Sequence, residues 1–269
     1  MLAMDVSAYL ARIGYRGDTT ATAPTLAALH EAHAATIPFE NLDVVNGRPI
    51  DLDIGAVAAK LVGAKRGGYC FEQTTLLYRV LMALDFKVTP LLARVRAGGG
   101  PIRPRTHAVL RVDLPDGPWV ADVGFGPSGL IEPLPLRHGA EVRLPIVSFR
   151  LVAEGDSWVV QAERGEGWSD LYAFTLEAQQ PVDYMAASHF SSTHPSSPFT
   201  QMLFAARVRR HERAVLRDRT LTITRLAGTE TRQISNPIEA AAVLAGFFDL
   251  PITADDVPGR LFAAAPAGA

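Results

Sequence analysis

The spacing of apolar residues changes its period near Asp85, and this change constrains the fold more than any other feature of the sequence. Before Asp85, apolar side chains recur at helical spacing; after it, they alternate with polar ones. The first period is typical of helices packed on a core, and the second is typical of half-buried strands. The chain is therefore predicted to have a helical first part followed by an antiparallel sheet or small barrel.

Three helices are predicted in the first part of the chain. Thr22 caps the first, and either Asp51 or Asp53 caps the second. The paired glycines Gly67 and Gly68 break the chain before the third, because glycine tolerates tight turns. By their apolar stripes, the helices cover about residues 24–37, 54–62 and 70–84.

The rest of the chain is predicted to consist of strands and turns, followed by a helix near the end. A Ser/Pro-rich stretch over 188–198 interrupts the strands and is predicted to be a linker or long loop. A helix over 237–250 follows, with Asn236 as its cap. The predicted strands cover residues 86–95, 107–114, 119–123, 141–152, 157–163, 170–176, 219–226 and 229–234.

The charge balance argues against two classes of partner. Lys and Arg number 26 and Asp and Glu 28, a formal charge of −2, so no positive excess points to nucleic acid or an anionic membrane. No apolar stretch reaches the roughly 18 residues of a membrane span. The start of the chain also lacks the pattern of a secretion signal, and we expect a cytoplasmic protein.

Cys70 is the single cysteine of the chain. One thiol excludes an intrachain disulfide framework, a Cys-rich zinc site and a CxxC redox pair. Three interpretations are left: a small buried apolar residue, an incidental thiol, or a nucleophile. Cys70 begins the third predicted helix, where unpaired N–H groups carry partial positive charge, and Arg66 adds a full charge, so a thiolate is favoured there.

A thiol nucleophile needs a base, and the base needs an acceptor that orients it. His107 opens a strand and faces away from that strand's apolar row, and the returning strand carries Asp122. The other histidines fit ordinary roles, and His30 and His33 are expected to be satisfied histidines of the first helix. Cys70, His107 and Asp122 are therefore the candidates for a catalytic triad.

The hairpin that carries His107 and Asp122 poses a problem of register. A four-residue loop at 115–118 would pair Leu114 with Trp119 and leave Asp122 about 13 Å along the strand from the position opposite His107. A contact then needs a bulge, a tighter loop or a different neighbouring strand. The residues alone do not select one of these.

The chain resembles the arylamine N-acetyltransferases in several motifs, which occur in the order and spacing of that family. The block Arg66–Gln73, which surrounds the single cysteine, is the most specific of them. The others are weak singly and strong together: Ile37–Asp43, Thr106-His107, Asp122–Gly126 and Ser197–Thr200. The resemblance covers most of the first 200 residues.

The resemblance implies an α+β fold with a cysteine-protease-like Cys-His-Asp core. It implies a helical N-terminal domain over 1–85, an antiparallel β-barrel middle domain over 86–187, an interdomain linker over 188–210 and a small α/β lid domain over 211–269. The change of period near Asp85 agrees with the first of these boundaries.

The resemblance also assigns Cys70, His107 and Asp122 as the triad of a ping-pong acetyl transfer. Acetyl-coenzyme A would be the acyl donor, and an arylamine, arylhydroxylamine or hydrazine would be the acceptor. His107 would relay protons, while Asp122 fixes its tautomer. No metal and no prosthetic group is expected.

Two glycine-rich loops are candidates for binding the coenzyme A phosphates. The resemblance favours the loop after Asp122, and the residues assigned to the coenzyme are Gly124, Gly126, Pro127, Ser128 and Gly129, together with Thr106. The second candidate is the run Gly98–Gly100 beside Arg96, Arg103 and Arg105. The alternatives are a plain turn for the first loop and a solvated loop for the second.

An apolar pocket with aromatic walls would suit a flat acceptor ring. By resemblance, its candidate residues are Phe39, Tyr69, Val95, Phe125 and Phe204, each of which could instead be ordinary core. Pro127 and Gly129 stand where other members of that family carry polar or bulky groups, so the acceptor preference is left open.

Three other functions are left open by the sequence. An amide synthase of the same fold, acting on a polyketide acyl thioester, would share the triad. A cysteine hydrolase or transglutaminase-like enzyme would carry Cys, His and Asp in the same order along the chain. A non-catalytic binding protein would bury an unreactive thiol at Cys70, and the oligomeric state is not predicted.

Overall fold

Eight helices and thirteen strands are formed by the residues that the computed structural model describes, 4–165 and 167–262. The helix α4 continues as one turn of π-helix over Ala59–Gly63. The helices are α1 (Val6–Arg12), α2 (Ala23–Thr36), α3 (Leu42–Val45), α4 (Ile54–Ala58), α5 (Cys70–Ala83), α6 (Pro181–Thr193), α7 (Pro198–Gln201) and α8 (Pro237–Phe248). The strands are β1 (Phe39–Glu40), β2 (Lys87–Val95), β3 (Arg105–Leu114), β4 (Gly117–Ala121), β5 (Leu134–Pro135), β6 (Ala140–Val142), β7 (Phe149–Glu154), β8 (Ser157–Arg164), β9 (Gly167–Phe174), β10 (Phe204–Arg209), β11 (Glu212–Arg217), β12 (Thr220–Arg225) and β13 (Gly228–Gln233).

The predicted helices and their caps are confirmed. The Thr22 side chain accepts a hydrogen bond from the Thr25 N–H at the start of α2, and Asn236 caps α8 in the same way. Of the two candidates for the cap of α4, it is Asp53 that accepts a hydrogen bond from the helix. Each bond satisfies an N–H group that has no acceptor within its own helix.

Four helices of the first part, α1, α2, α4 and α5, pack around one apolar core that also takes in one face of the β3–β4 hairpin. Leu29 of α2, Leu77 of α5 and Leu110 of β3 are all buried there. The hairpin therefore lies directly against the helices. This contact brings the start of α5 close to β3.

Eight strands form an antiparallel sheet in the order β5-β4-β3-β2-β9-β8-β7-β6. Its two edge strands, β5 and β6, come into contact without a shared ladder, so the sheet is a nearly closed barrel. Buried residues such as Leu91, Val109 and Val160 fill its interior. The predicted single strand over 141–152 is wrong: it is two short strands, β6 and β7, which pair with each other antiparallel.

The β3–β4 hairpin is tighter than the predicted four-residue loop. Its ladder pairs Leu114 with Gly117, so only two residues form the turn. Continued along both strands, this register leaves Asp122 two positions from the residue opposite His107, on the same face of the sheet. Such diagonal neighbours lie about 7–8 Å apart, within reach of long side chains. Of the three solutions left open by the sequence, the tighter loop is the one observed.

The stretch over 188–210 is not the predicted loop. Its first six residues are the end of α6, and α7 and β10 occupy most of the remainder. The hydroxyls of Ser191 and Thr193 donate to carbonyls one turn back within α6, and Ser188 is buried. Because these side chains are satisfied by the helix itself, a composition that is typical of loops is compatible with a helix here.

A second antiparallel sheet has the order β1-β10-β11-β12-β13, and α8 packs against it. The hairpin of β12 and β13 was predicted, whereas β10 and β11 were not. Its edge strand β1 comes from the first 85 residues, so the predicted helical domain contributes to this sheet. The domain boundaries themselves stay predictions, and residues 1–3 and 263–269 at their outer ends lie outside the described residues.

Candidate active site

Cys70 is the first residue of α5 and lies where the helices, the barrel and the five-stranded sheet meet. The strand β1 holds the loop before it: the Glu40 N–H donates to the Gly68 carbonyl at 3.1 Å, and the Gly68 N–H donates to the Pro38 carbonyl at 3.4 Å. Position 67 has to be glycine, because a β-carbon on Gly67 would collide with the Pro38 carbonyl oxygen. The paired glycines thus let the loop pass close to β1 and deliver the cysteine to the helix start.

His107 lies between Cys70 and Asp122. Its Nε2 atom is 2.8 Å from Oδ2 of Asp122, and both side chains are buried. The Cys70 side chain interacts with the same imidazole, and its thiol lies 3.7 Å from the Thr106 carbonyl oxygen. Because Nε2 is engaged by Asp122, Nδ1 is the nitrogen left for the thiol proton. The structure therefore brings the three predicted triad residues together.

The charges of this group are set by burial and by pairing. Burial alone would lower the pKa of His107, but the Asp122 carboxylate and the Cys70 side chain raise it to about 10. Burial would likewise raise the pKa of Asp122, but the charge on His107 and a 2.8 Å hydrogen bond from the Gly124 N–H keep it lowered. At neutral pH His107 is thus an imidazolium, the form that stabilises a neighbouring thiolate.

Tyr172 of β9 packs against this group and was not anticipated from the sequence. Its ring centroid lies 4.8 Å from that of His107 and 4.8 Å from that of Phe125. Burial and the Asp122 charge raise the pKa of Tyr172 well above its ordinary value, so the phenol stays protonated. Strand alternation predicts that such a residue is buried, but it does not say which group it touches.

A network of charges supports the loop before Cys70. The Lys60 ammonium lies 2.7 Å from Oε1 of Glu72 and 2.6 Å from Oδ2 of Asp43. Arg66 donates to Oε1 of Glu40 from Nε at 3.0 Å and from a terminal nitrogen at 2.7 Å. Because Arg66 is paired, it does not offer the unpaired charge beside the thiol that the sequence suggested.

Glu72 joins this network to α5. Its Oε2 atom accepts a hydrogen bond from the Tyr69 N–H at 3.1 Å, which satisfies a backbone donor at the helix start. Burial raises the pKa of Glu72 to about 7, against the opposing charge of Lys60. Glu72 therefore links the conformation of the loop to the charge of Lys60.

His30 and His33 of α2 are buried, as a satisfied histidine would be, but they do more than fill the core. His33 hydrogen-bonds Oε1 of Gln73 at 2.6 Å, and the Gln73 amide donates to the Pro38 and Gly68 carbonyls at 2.8 and 3.2 Å. His30 contacts the backbone of Asp122. The sequence predicted only that both are satisfied histidines of their helix, and no motif in it indicated these partners.

The predicted acceptor residues fall into two groups. Phe125 lies 4.9 Å from His107 between ring centroids, and Val95 is paired with Tyr172 across the barrel strands. The other three surround Phe199, at ring distances of 5.7 to 6.1 Å: Phe39, Tyr69 and Phe204. Tyr69 is fully buried, with its hydroxyl on Ser188, and so acts as a wall behind Cys70. Phe199 was not among the predicted residues, although it lies within the motif Ser197–Thr200.

The loop assigned to the coenzyme begins at Gly124, against Cys70, and continues as a turn of 3-10 helix over Gly126–Ser128. Gly126 has a φ of +67°, and its Cα faces the Phe39 ring. The Pro127 and Gly129 carbonyls accept hydrogen bonds from Arg213 at 3.4 and 3.0 Å. Thr106 lies beside the same site, through its carbonyl contact with the Cys70 thiol. The loop and Thr106 are therefore adjacent to the thiol, while their role toward the coenzyme stays a prediction.

The second glycine-rich loop, Gly98–Gly100, is flanked by arginines that already have partners within the protein. Arg96 is paired with Glu154 at 2.8 Å, and Arg105 with Glu177 at 3.2 Å. Arg103 donates to the backbone of the loop itself. A phosphate there would have to compete with these carboxylates, so the first loop is the better candidate.

The described residues, 4–165 and 167–262, hold neither a candidate metal site nor a membrane-spanning helix. These residues contain no group of three or more His, Cys, Asp or Glu side chains that could hold a metal ion. None of the helices among them is long and apolar enough to span a membrane. The expected cytoplasmic location stays a prediction.

Comparison with known proteins identifies the family. A family model described as N-acetyltransferase matches residues 22–257. An arylamine N-acetyltransferase from Mycolicibacterium smegmatis is 39% identical over 266 residues, which cover 96% of each chain. Another, from Escherichia coli (strain K12), is 44% identical over 200 residues, which cover 74% of this chain and 71% of the relative. The solved structure of the Mycobacterium marinum arylamine N-acetyltransferase in complex with CoA matches with a TM-score of 0.89 at 37% identity, covering 96% of this chain and 97% of that one. The chain therefore belongs to the arylamine N-acetyltransferase family.

Proposed function

We propose that the protein transfers an acetyl group from acetyl-coenzyme A to the nitrogen of an arylamine, arylhydroxylamine or hydrazine through a thioester on Cys70. The observation that carries this proposal is the buried chain of contacts from Cys70 through His107 to Asp122. A thiolate beside an imidazolium is a nucleophile at neutral pH, and a covalent intermediate divides one difficult transfer into two easier ones.

In the first half-reaction, the Cys70 thiolate attacks the thioester carbonyl of the donor. When the tetrahedral intermediate collapses, the bond from the carbonyl carbon to the coenzyme sulfur breaks, and the coenzyme thiolate takes the proton of His107. The first N–H groups of α5 have no acceptor within the helix, and we assign them to the developing oxyanion. The products are acetyl-Cys70, free coenzyme A and neutral His107.

In the second half-reaction, the acceptor nitrogen attacks the acetyl-Cys70 carbonyl. Neutral His107 takes the proton that the nitrogen loses, and the Cys70 thiolate leaves, which regenerates the ion pair. Asp122 holds Nε2 of His107 by the 2.8 Å hydrogen bond, so Nδ1 faces the reacting atoms in both steps. Water must be kept from the thioester during this interval, and the aromatic side chains around the thiol suit that task.

We assign the donor to the loop Gly124–Gly129 with Thr106, and the acceptor ring to the aromatic side chains near His107. The M. marinum relative was solved with CoA, which supports a coenzyme-binding role for the shared fold. Phe125 lies beside His107 and could stack on a flat ring that approaches Nδ1.

Intact-mass spectrometry tests this function directly. We expect wild-type protein incubated with acetyl-coenzyme A to gain one acetyl group, and Cys70→Ala to gain none. Addition of aniline should remove the group from the protein and yield acetanilide. In the absence of amine the thioester should persist, which separates a transferase from a hydrolase. Wild-type protein that stays unmodified by acetyl-coenzyme A would refute the proposal.

A further inference from the structure

His30 connects α2 to both ends of the segment over 122–131. Its Nε2 atom lies 3.1 Å from the Asp122 nitrogen, and its Nδ1 atom lies 3.1 Å from the Ile131 carbonyl oxygen. The residue has no exposed surface. It therefore joins two points that are nine residues apart in sequence and encloses between them the loop that begins against Cys70.

The two partners determine the protonation of His30. A backbone N–H can only donate, so Nε2 accepts from Asp122; a carbonyl can only accept, so Nδ1 carries a proton and donates to Ile131. Only the neutral imidazole with its proton on Nδ1 makes both hydrogen bonds. An imidazolium, or the other neutral tautomer, would place two hydrogens between Nε2 and the Asp122 nitrogen.

Burial supports the neutral form by lowering the pKa of His30. The groups that face it are the Asp122 and Glu132 carboxylates, which oppose this effect, and the buried His33 on its own helix. Glu132 is itself paired with Arg210, which reduces its influence. Burial is the largest of these contributions.

The contact with Asp122 matters because that residue leaves β4 just after its last paired position, Ala121. Beyond this point no strand ladder fixes its backbone. The hydrogen bond from its N–H to His30 takes the place of the missing ladder and fixes the direction in which the carboxylate leaves the chain. That carboxylate reaches the Gly124 N–H and His107, each at 2.8 Å.

We propose that His30 is a positioning residue for acetyl transfer, whose neutral Nδ1-protonated imidazole ties the ends of the segment over 122–131 and so holds Asp122 against His107. This inference rests on the proposed function of Cys70, His107 and Asp122. It predicts that the hydrogen bond to Asp122 affects the rate, whereas the hydrogen bond to Ile131 mainly affects the placement of the loop.

Two substitutions separate these hydrogen bonds. The amide of a glutamine reaches the position of Nε2 and can accept from Asp122, whereas the amide of an asparagine reaches only the position of Nδ1 and can donate to Ile131. We expect His30→Asn to acetylate Cys70 about 10- to 100-fold more slowly, with little change in the KM for the donor. We expect His30→Gln to stay within about threefold of wild type, a rescue that a role in packing alone would not give.

The readout is the burst of p-nitrophenolate released when p-nitrophenyl acetate acetylates Cys70, with exposed His211→Asn as the matched control. Equal rates for His30→Asn and wild type would overturn the inference, and so would equal losses in both His30 variants. A wild-type protein without a burst would instead refute the proposed function. Circular dichroism establishes that each variant is folded.

A measurement on the unmodified protein covers the case in which the variants do not fold. Two-dimensional ¹H–¹⁵N spectra distinguish the tautomers of the seven histidines. We expect one buried histidine, assigned as His30 by its contacts with Asp122 and Ile131, to be neutral at pH 7 with its proton on Nδ1. An imidazolium or a proton on Nε2 would contradict the inference.

Discussion

Gly124 lies directly against the backbone of Cys70. A β-carbon on residue 124 would stand 2.8 Å from the Cys70 Cα atom and 3.1 Å from its Cβ atom. The segment that carries Asp122 therefore packs so closely on the helix that carries the thiol that position 124 has no room for a side chain. The distance between the acid and the nucleophile depends on this contact.

We expect Gly124→Ala to destabilise the protein by about 1–3 kcal/mol, because the backbones of both segments have to move apart. The same movement should slow alkylation of Cys70 by iodoacetamide at pH 7 by at least about tenfold. Gly246→Ala is the control: it lies within α8, and a β-carbon there meets nothing within 4 Å. That change should be neutral or slightly stabilising in thermal unfolding. Equal behaviour of the two variants would contradict the close contact.

The position of Cys70 could be predicted because its causes are local. The two glycines, the start of α5 and the loop between them are all within a few residues, where sequence patterns are informative. The contact between His107 and Asp122 could not be predicted with the same certainty. It depends on a two-residue turn in place of a four-residue one, and both turns fit the same strand pattern.

The partners of the core residues were beyond sequence reasoning. The sequence indicated only that His30 is a satisfied histidine of its helix, whereas its partner Asp122 is 92 residues away and lies just after β4. The same holds for Tyr172, which β9 brings to Asp122 and Phe125. A pattern shows which face of an element is buried, whereas packing of several elements decides what that face contacts.

Asp122→Asn should lower the pKa of His107 from about 10, because the carboxylate is the principal group that raises it. Fewer imidazolium–thiolate pairs then exist at neutral pH, and turnover should fall by about three to four orders of magnitude, as expected for loss of a triad acid. The pH profile of Cys70 alkylation, measured from pH 5 to 9, should no longer show a reactive thiolate near neutral pH. Since the chain has one cysteine, the reaction reports a single site. The exposed Asp156→Asn should leave this profile unchanged.

Lys60→Met removes the cation that faces buried Glu72; Asp43 also loses this partner but keeps Arg48 and Arg66. Loss of one partner of a buried pair costs about 3–5 kcal/mol when the other stays charged. The pKa of Glu72 is already raised to about 7, above its unfolded value of 4.5, and should rise further without Lys60. The folded state then binds the extra proton, so the loss of stability should be small near pH 4.5 and grow as pH rises through the folded pKa.

A double substitution tests the cause of this pH dependence. Glu72→Gln combined with Lys60→Met removes the buried charge and its partner together, while the amide oxygen can still accept from the Tyr69 N–H. Urea unfolding should show that the double variant is more stable than Lys60→Met at pH 8. It should also lose the additional pH dependence of the single variant. If the double variant is as unstable as Lys60→Met, the destabilisation comes from lost packing of the Lys60 side chain and not from the unpaired charge of Glu72.

The buried His33 makes the stability of the protein depend on acid pH. Burial lowers the pKa of His33 to about 3, and the nearby His30 and Arg12 lower it further, while the hydrogen bond to Oε1 of Gln73 opposes this shift. The unfolded state binds a proton below pH 6.5 while the folded state stays neutral, so the stabilisation is complete above 6.5 and is lost as pH falls toward 3. Between pH 7 and 4 the loss should be about 3 kcal/mol.

His33→Gln should be less stable than wild type at pH 7 but should have a flatter pH dependence, because glutamine does not titrate. The exposed His211→Gln should keep the wild-type slope, and an equally steep slope in His33→Gln would show that another group is responsible.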